Sequence, residues 1–332
     1  MLAGLGSDKA AIAIAVVSER LGLPGPTEAA VNTVGDKVQL RRVQERLQLP
    51  HPSFMEVGAQ IIPSTASDYV GRKIAVKSVG AAASRGMTAL GSSWQSLDLA
   101  TAVAHAISES PTGSALIESW VDGPQFGGDA LVVNGSIFLL SLTKRKLHNL
   151  VTVGHELWLS PPSSALHEIE RQLSALCGQL NYTDGPLNFD GSLSSDGGVV
   201  FFELAARLGG NGITQLVEDA TGGSPSEVYL AQLAGLPLTA LPVPRRPAGS
   251  LLFYSVEAGI VEDYTEPSLM CERIPWLSTC VVWTRRGEPA KPLRHGGQCI
   301  GLATFTFDSG YDRAAAIIRQ ELALRVSPRS AE

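Results

Sequence analysis

Apolar residues recur every three or four positions in several segments of the chain, and this spacing predicts helices. The first predicted helix covers residues 8–21 and is closed by Gly22 and Pro24. A second begins near Thr33 and stops before Pro50. Further helices are predicted at residues 97–108, 166–180 and 311–324. The helices are therefore spread along the chain, with shorter apolar segments between them.

Those shorter apolar segments predict strands. Residues 73–79 and 114–120 form the first two, and Asn134-Gly135 then separates two apolar runs, which is the strongest short signal for a β-hairpin. The runs of this hairpin cover residues 130–133 and 136–142, and later strands are predicted at 187–193, 199–204, 251–256, 280–284 and 300–307. A turn at Asp196-Gly197-Gly198 joins one pair, and a proline-rich linker follows Leu236. This order predicts an α+β (α/β) protein.

Composition narrows the class of protein. The chain has 332 residues, 44% of them hydrophobic, which is enough to bury a sizeable core. The net charge of −6 argues against a nucleic-acid-binding protein. The N-terminus lacks the basic start and the continuous apolar core of a signal peptide, and no run reaches membrane-spanning length. We therefore expect a soluble, cytoplasmic protein without a membrane or nucleic-acid partner.

The four cysteines (Cys177, Cys271, Cys280 and Cys299) form no CxxC pair and have no companion histidines at metal spacing. Structural zinc is therefore not expected, and buried free thiols are the simpler interpretation.

A small-residue loop after a strand is the first candidate for chemistry. Lys77 ends the strand of the segment KIAVKSVGAAASRGM, and a loop of Gly, Ala and Ser runs on to Ser84, Arg85 and Gly86. Small residues let backbone N–H groups approach phosphate oxygens, and a strand-anchored lysine adds a fixed positive charge. The GK[ST] ending of a Walker loop is absent. A flexible surface loop is the alternative interpretation.

Two further segments carry candidate ligands. In LIESWVDG, an apolar strand ends at Glu118 and a turn follows, where backbone groups could pair with a purine edge. Asp190 and Glu203 lie near the ends of two strands joined by a turn, and two carboxylates brought close favour a cation such as Mg²⁺ between them. Arg207, Gly209 and Gly210 follow directly and could approach an anion. An exposed hairpin with ordinary surface acids is the alternative.

These segments, in this order, resemble the ATP-grasp superfamily, and most closely its carboxylate–amine ligases such as the L-amino-acid (dipeptide) ligases. The resemblance covers residues 21–222, from GLPGPTEAAVNTVGDKVQLRRVQERLQLPHP to GPLNFDGSLSSDGGVVFFELAARLGG. It implies the ATP-grasp fold, in which two α+β subdomains clasp ATP and a small C-terminal α+β subdomain follows. The implied domains are a helical lead-in and remnant of an N-terminal domain (1–50), a lid subdomain (51–125), a large subdomain with the metal site (126–235) and a C-terminal subdomain (236–332).

The resemblance also implies roles for individual residues. Lys37 and Lys77 would hold the phosphates of ATP under the loop at Ser84, Arg85 and Gly86. The adenine hinge would be Glu118, Ser119, Trp120 and Val121, with Gln125 at the ribose. Asp190 and Glu203 would bind Mg²⁺, with Mn²⁺ as an alternative ion. Arg207 and Lys77 would be catalytic, with Arg207 facing the reacting phosphoryl or acyl group. The substrate candidates are His155, in a Gly-His-Glu segment, and Gly209 with Gly210.

Three features of the chain depart from the family pattern. Gln125 replaces the usual acidic ribose ligand, and Ala205 stands where many members carry an asparagine. The chain also begins almost at the end of the usual N-terminal domain. We therefore expect a homo-oligomer, or a partner subunit that covers the missing domain.

The implied function is an ATP-dependent carboxylate–amine ligase that forms an amide or peptide bond through an acyl phosphate and releases ADP and phosphate. Its substrates would be small molecules, most simply amino acids. Two alternatives stay open. One is an ATP-grasp carboxylase or purine-pathway ligase that uses carboxyphosphate. The other is a nucleotide-binding subunit without catalysis, or a half-enzyme that depends on a partner.

Overall fold

A computed structural model describes residues 3, 6–58, 68–194 and 198–328. The chain divides into two units. Unit 1 comprises residues 1–139 and 161–208, and unit 2 comprises residues 140–160 and 209–332. Within the described residues, no helix has the length and apolar character needed to cross a membrane.

Unit 1 begins with three helices. Helix α1 (Asp8–Leu21) matches its prediction, with Ser7 as N-cap and a left-handed Gly22 as C-cap. The single helix predicted from Thr33 is wrong, because the segment forms α2 (Glu28–Val34) and α3 (Lys37–Arg46). The break arises at Asp36, whose carboxylate accepts hydrogen bonds from the N–H groups of Val38 and Gln39 and so starts a new helix. Lys37 is therefore the first residue of α3.

A four-stranded antiparallel sheet follows in unit 1. Its elements are β1 (Phe54–Gly58), β2 (Ile74–Ser78), β3 (Thr88–Leu90), α4 (Ser96–Ser108) and β4 (Ser114–Ser119). The strand order is β1-β4-β2-β3, and α4 covers one face. Ile74, Val76 and Ile117 from the strands pack against Leu99 of α4. The predictions of β2, α4 and β4 are confirmed, whereas β1 and β3 were not predicted.

The next part of the chain passes through unit 2 and returns to unit 1, where two strands hold the predicted metal ligands. The next elements along the chain are β5 (Gln125–Val133), β6 (Ser136–His148), β7 (Val151–Leu157), α5 (Ser163–Gln179), β8 (Gly185–Leu193) and β9 (Val199–Ala205). Asn134 and Gly135, with φ values of 49° and 78°, form the predicted two-residue turn between β5 and β6. β8 pairs antiparallel with both β5 and β9. Of the predicted turn between β8 and β9, residues 195–197 lie outside the described residues, so that prediction is not tested.

Unit 2 is built on a sheet with the strand order β12-β14-β10-β7-β6, which β6 enters at residue 140. Its core includes Leu251, Phe305, Tyr311 and Ile318. The predicted linker holds no helix or strand between residues 236 and 247. The elements of this unit after Leu208 are α6 (Ile213–Thr221), α7 (Pro225–Leu233), β10 (Ala248–Phe253), β11 (Gly259–Asp263), α8 (Pro267–Arg273), β12 (Leu277–Val282), β13 (Pro289–Ala290), β14 (Gly301–Thr306), α9 (Tyr311–Leu322) and β15 (Arg325–Pro328).

The cysteines are free thiols, as expected, and Cys177, Cys280 and Cys299 are buried, whereas Cys271 is only partly buried. Burial raises the pKa of the Cys177 thiol to about 12, so it stays protonated and unreactive at neutral pH.

Candidate active site

Asp190 and Glu203 lie directly opposite each other on β8 and β9. Glu203 reaches this position because β9 carries a bulge: Phe201 pairs with Gly191, Glu203 pairs with Asp190, and Phe202 is the extra residue. Strict alternation would place Glu203 on the same face as the buried Phe201. The extra residue moves Glu203 to the opposite face, where Asp190 lies. Both carboxylates thus point away from the core.

Gly127 makes room for the Asp190 side chain on the neighbouring strand β5. A Cβ atom built on Gly127 would lie 2.5 Å from Oδ1 of Asp190, closer than real contacts allow. A side chain at residue 127 would therefore displace the carboxylate. On the same pair of strands as the two carboxylates, Asn188 lies opposite Ala205.

Lys37 links the Glu203 carboxylate to the small-residue loop. Its ammonium group donates hydrogen bonds to Oε1 of Glu203 at 3.0 Å and to the carbonyl oxygen of Ala81 at 2.9 Å. Burial alone would raise the pKa of Glu203, but the charge and hydrogen bond of Lys37, with the charges of Arg207 and Lys77, lower it overall. Glu203 is thus an anion at neutral pH, and three cations lie close enough to stabilise it.

A second, buried cluster of charged side chains lies beside the pair of Lys37 and Glu203. The carboxylate of Glu118 accepts hydrogen bonds from Lys77 Nζ at 2.6 Å and from Arg41 Nε at 2.5 Å. Burial would raise the pKa of Glu118, but the two cations lower it to about 2. Burial lowers the pKa of Lys77, assisted by the charges of Arg41 and Lys37, although Glu118 opposes that shift. The Glu118 side chain is thus committed to these cations.

Arg41 is a site residue that the sequence prediction missed. Its side chain is fully buried, and it donates hydrogen bonds to the carbonyl oxygens of Phe201 and Phe202, both at 3.0 Å. Arg41 therefore connects Glu118 on β4 to the bulge that orients Glu203. The available signal was its spacing, since Lys37 and Arg41 are four residues apart and lie on one face of α3.

The loop after β2 is folded tightly. Ala83 and Ser84 adopt positive φ values of 59° and 60°, and Ser78 Oγ donates a hydrogen bond to the carbonyl oxygen of Arg85 at 2.7 Å. Gly86 has a φ of 66°, and a Cβ there would lie 2.9 Å from the Cβ atoms of Ser78 and Glu109. The loop is therefore anchored at Arg85 and Gly86, and the Arg85 side chain itself is exposed.

The predicted adenine hinge begins at the end of β4, and its first backbone N–H groups already donate hydrogen bonds within the protein. Ser119 N donates to Ser53 O at 2.9 Å, and Trp120 N donates to Lys73 O at 3.0 Å. The Lys73 ammonium lies 3.9 Å from the centroid of the Trp120 ring. Val121 follows, and Gln125 pairs with Ser192 at the start of β5. Hinge contacts to a base would therefore come from carbonyl groups or from Val121, not from these two N–H groups.

Arg207 forms an ion pair that the sequence did not predict. Its Nε donates a hydrogen bond to Oδ1 of Asp8, the first residue of α1, at 2.5 Å. The Arg207 side chain is 15% exposed and follows two residues after the end of β9, and its charge contributes to lowering the pKa of Glu203.

In unit 2, Gly209 and Gly210 precede α6, and Gly210 O accepts a hydrogen bond from Ile213 N. His155 lies on β7 and is only 3% exposed. Its Nδ1 lies 3.0 Å from Oγ1 of Thr143, and burial together with the charge of Arg145 lowers its pKa to about 3. His155 is therefore neutral at physiological pH.

His155 belongs to a row of polar residues across the sheet of unit 2. It pairs with Ser250 of β10, which pairs with Thr304 of β14. The hydroxyl groups of Ser250 and Thr304 are fully buried and have no hydrogen-bond partner in the part of the chain that the structure describes. Gly212, the N-cap of α6, lies over them, because a Cβ there would be 2.9 Å from Thr304 Cγ2 and 3.2 Å from Ser250 Cβ. The row thus lies at the N-terminus of a helix.

Among the described residues, no cluster of three or more His, Cys, Asp or Glu side chains could hold a metal ion by itself. Asp190 and Glu203 form a two-carboxylate pair, so a metal there would need further ligands from water or a bound anion. Mg²⁺ bound by one or two carboxylates and by substrate phosphates has this requirement.

Comparison with known proteins supports the fold. No protein-family model and no curated protein sequence matches the chain. Among solved structures, the chain is similar to an L-amino acid ligase from Bacillus licheniformis, with 19% identity over 98% of this chain and 79% of that chain and a TM-score of 0.76. It also resembles a phosphoribosylglycinamide synthetase from Anaerococcus prevotii, with 14% identity over 98% and 82% of the two chains and a TM-score of 0.67.

A third similar structure is the biotin carboxylase domain of the Hydrogenobacter thermophilus 2-oxoglutarate carboxylase, in complex with MgADP and bicarbonate. It shares 14% identity over 95% of this chain and 72% of that chain, with a TM-score of 0.69. All three are ATP-grasp enzymes. The architecture of both units and these similarities lead to one conclusion: this chain has the ATP-grasp fold.

Proposed function

We propose that this protein is an ATP-dependent carboxylate–amine ligase, which activates a carboxylate as an acyl phosphate and joins it to an amine. The observation that carries the proposal is the opposed pair of Asp190 and Glu203, with the Lys37 ammonium bound to Glu203 and to the loop carbonyl of Ala81. Two carboxylates and a lysine beside a tight small-residue loop suit a metal-bound polyphosphate.

The residues present fit ATP and Mg²⁺. Asp190 and Glu203 would hold the ion, whose charge would offset that of the phosphates. Lys37 and Lys77 would contact phosphate oxygens, and the loop through Ser84, Arg85 and Gly86 would cover them. The hinge from Glu118 to Val121 would hold the adenine through backbone groups, and the Gln125 amide can hydrogen-bond ribose hydroxyls.

The chemistry proposed is two displacements. A substrate carboxylate oxygen attacks the γ-phosphorus, the bond from phosphorus to the ADP oxygen breaks, and ADP leaves. The amine nitrogen then attacks the acyl carbon, the bond from carbon to the phosphate oxygen breaks, and the nitrogen loses a proton. Positioning and neutralisation of charge are the main demands of the first step, and Lys37, Lys77 and Arg207 supply three cations. The anchored loop would exclude water from the acyl phosphate.

Amino acids are the substrate class that the residues favour. In unit 2, the N-terminus of α6, which lies over the buried row of His155, Ser250 and Thr304, has backbone N–H groups suited to a carboxylate. We propose that this helix N-terminus, with Gly209 and Gly210 before it and His155 in the row behind it, recognises the carboxylate of the amine substrate. The similarity to an L-amino acid ligase agrees with that assignment.

The test is ADP release by the full chain with ATP, Mg²⁺ and pairs of the common amino acids, with amide products identified by mass spectrometry. The proposal expects ADP release that depends on one or more pairs and equals amide formation. ADP release that requires bicarbonate instead would favour a carboxylase. Tight ATP binding without turnover on any pair or with bicarbonate would favour a nucleotide-binding subunit.

A further inference from the structure

Asp8, at the start of the first helix, contacts a residue of the candidate active site although 199 positions separate the two in sequence. Asp8 Oδ1 accepts a hydrogen bond from Arg207 Nε at 2.5 Å, and Arg207 Nη1 donates to the carbonyl oxygen of Leu208 at 3.2 Å. Two bonds from different nitrogens of one planar guanidinium fix the orientation of its plane.

This pair differs from an ordinary surface ion pair in its surroundings. Exposed pairs contribute about 0–1 kcal/mol and do not order their side chains. The Asp8 side chain is 40% exposed, but the Arg207 side chain is only 15% exposed, and Arg207 lies two residues beyond the end of β9, the strand that carries Glu203. Its charge also contributes to lowering the pKa of Glu203, so a small rotation of the guanidinium would change the field at Glu203.

The start of α1 is itself well defined. Ser7 is the N-cap, and its hydroxyl accepts a hydrogen bond from Ala10 N at 3.4 Å. Asp8 occupies the first position of the helix, where the helix dipole favours a carboxylate. The backbone that carries Asp8 is thus fixed by a cap that does not involve Arg207.

We infer that Asp8 is a positioning residue, which holds the Arg207 guanidinium in the orientation needed to stabilise the phosphoryl group in transfer. The inference rests on the proposed function for Arg207. It assigns α1 a part in catalysis, whereas the sequence suggested only a helical lead-in.

The test uses two probes that need no knowledge of the substrate. MgADP reports nucleotide binding, and MgADP with aluminium fluoride mimics the transferring phosphoryl group. Asp8→Asn is compared with Ser7→Ala, which weakens the cap of the same helix but leaves the ion pair, and with Asp8→Glu, which keeps the charge. Binding is measured by calorimetry and the fold by thermal unfolding.

We expect Asp8→Asn to bind MgADP within about twofold of the wild type but the fluoroaluminate complex about tenfold more weakly or worse. Ser7→Ala should bind both probes normally, and Asp8→Glu should recover part of the loss. In an Arg207→Lys background, Asp8→Asn should add little further loss, because the two residues act as a unit.

Unchanged or tighter binding of the fluoroaluminate complex by Asp8→Asn would overturn the inference. Tighter binding would mean that Asp8 holds Arg207 away from the site. Equal losses of affinity for the fluoroaluminate complex in Asp8→Asn and Ser7→Ala would also overturn it, since the role of Asp8 would then be to stabilise α1. If the wild type fails to bind MgADP, the proposed function fails first, and the inference with it.

Discussion

Glu203 faces Asp190 across two antiparallel strands only because β9 carries one extra residue, Phe202. Without that bulge, the Glu203 side chain would enter the core beside Phe201. Arg41 donates hydrogen bonds to the carbonyl oxygens of both Phe201 and Phe202, and so stabilises the bulge. The geometry of the proposed metal site is therefore set by a buried arginine that is not itself a ligand.

Removing either carboxylate should abolish turnover and leave the fold intact. We expect Asp190→Asn and Glu203→Gln to lower ADP formation by about 100-fold or more, because each loses a charge that the metal requires. The matched control is Glu168→Gln, which removes a carboxylate paired with Arg171 on helix α5. Near-normal ADP formation by Glu203→Gln, with thermal unfolding unchanged, would remove the metal assignment.

Glu118 should contribute more to stability than an exposed acid. Glu118→Gln leaves the fully buried Arg41 without its counter-charge, and we expect the free energy of unfolding to fall by about 3 kcal/mol. The control is Glu56→Gln, which breaks the exposed pair with Arg42 and should cost less than about 1 kcal/mol. Chemical denaturation measures both. Equal losses in the two variants would contradict a structural role for the buried cluster.

His155 should make the protein sensitive to mild acid. Its pKa is lowered from 6.5 to about 3 in the folded protein, so below pH 6.5 the unfolded chain binds a proton that the folded chain does not. Stability that is present above pH 6.5 is therefore lost as the pH falls towards 3, by up to about 1.4 kcal/mol per pH unit.

Chemical denaturation at a series of pH values measures this loss. His155→Gln should show a shallower loss of stability across that window, whereas the variant of the exposed His167, His167→Gln, should follow the wild type. Parallel curves for the wild type and His155→Gln would contradict the burial of a neutral imidazole.

The loop after β2 should not tolerate a side chain at Gly86. Gly86→Ala would place a Cβ 2.9 Å from two neighbouring Cβ atoms in a positive-φ conformation, so we expect ATP affinity to fall by about tenfold. Gly91→Ala is the matched control, because nothing lies within 4 Å of its added Cβ. Calorimetric titration with ATP would decide, and equal affinities in the two variants would argue that residues 84–86 do not cover the nucleotide.

Much of the scaffold was predictable because its signals are local. Helix α1 has an N-cap and a glycine C-cap at its two ends, and the Asn134-Gly135 turn has the positive φ values that its residues favour. The Asp36 cap that splits the second predicted helix is also local, but a continuous apolar pattern on both sides of it concealed the break. The ATP-grasp fold itself followed from several motifs in order.

The parts of the site that depend on tertiary contacts were not predictable. An arginine in an amphipathic helix is ordinarily exposed, so the spacing that places Lys37 and Arg41 on one face of α3 could not by itself indicate that Arg41 is buried. The Asp8–Arg207 pair joins distant positions, and nothing in the sequence around Asp8 indicates it. His155 lies in a strand whose residues are mostly buried on both faces, so alternation could not show its burial. The roles proposed for the site residues remain predictions.

The proposed function requires that a carboxylate be activated by direct transfer of the γ-phosphoryl group. In the decisive experiment, the amino acid that supplies the activated carboxylate carries ¹⁸O in that group. Mass spectrometry then shows where the label goes. Attack of that carboxylate on ATP predicts one ¹⁸O atom in the inorganic phosphate released with ADP for each amide formed. Amide formation with unlabelled phosphate, or with AMP and pyrophosphate as products, would contradict the account.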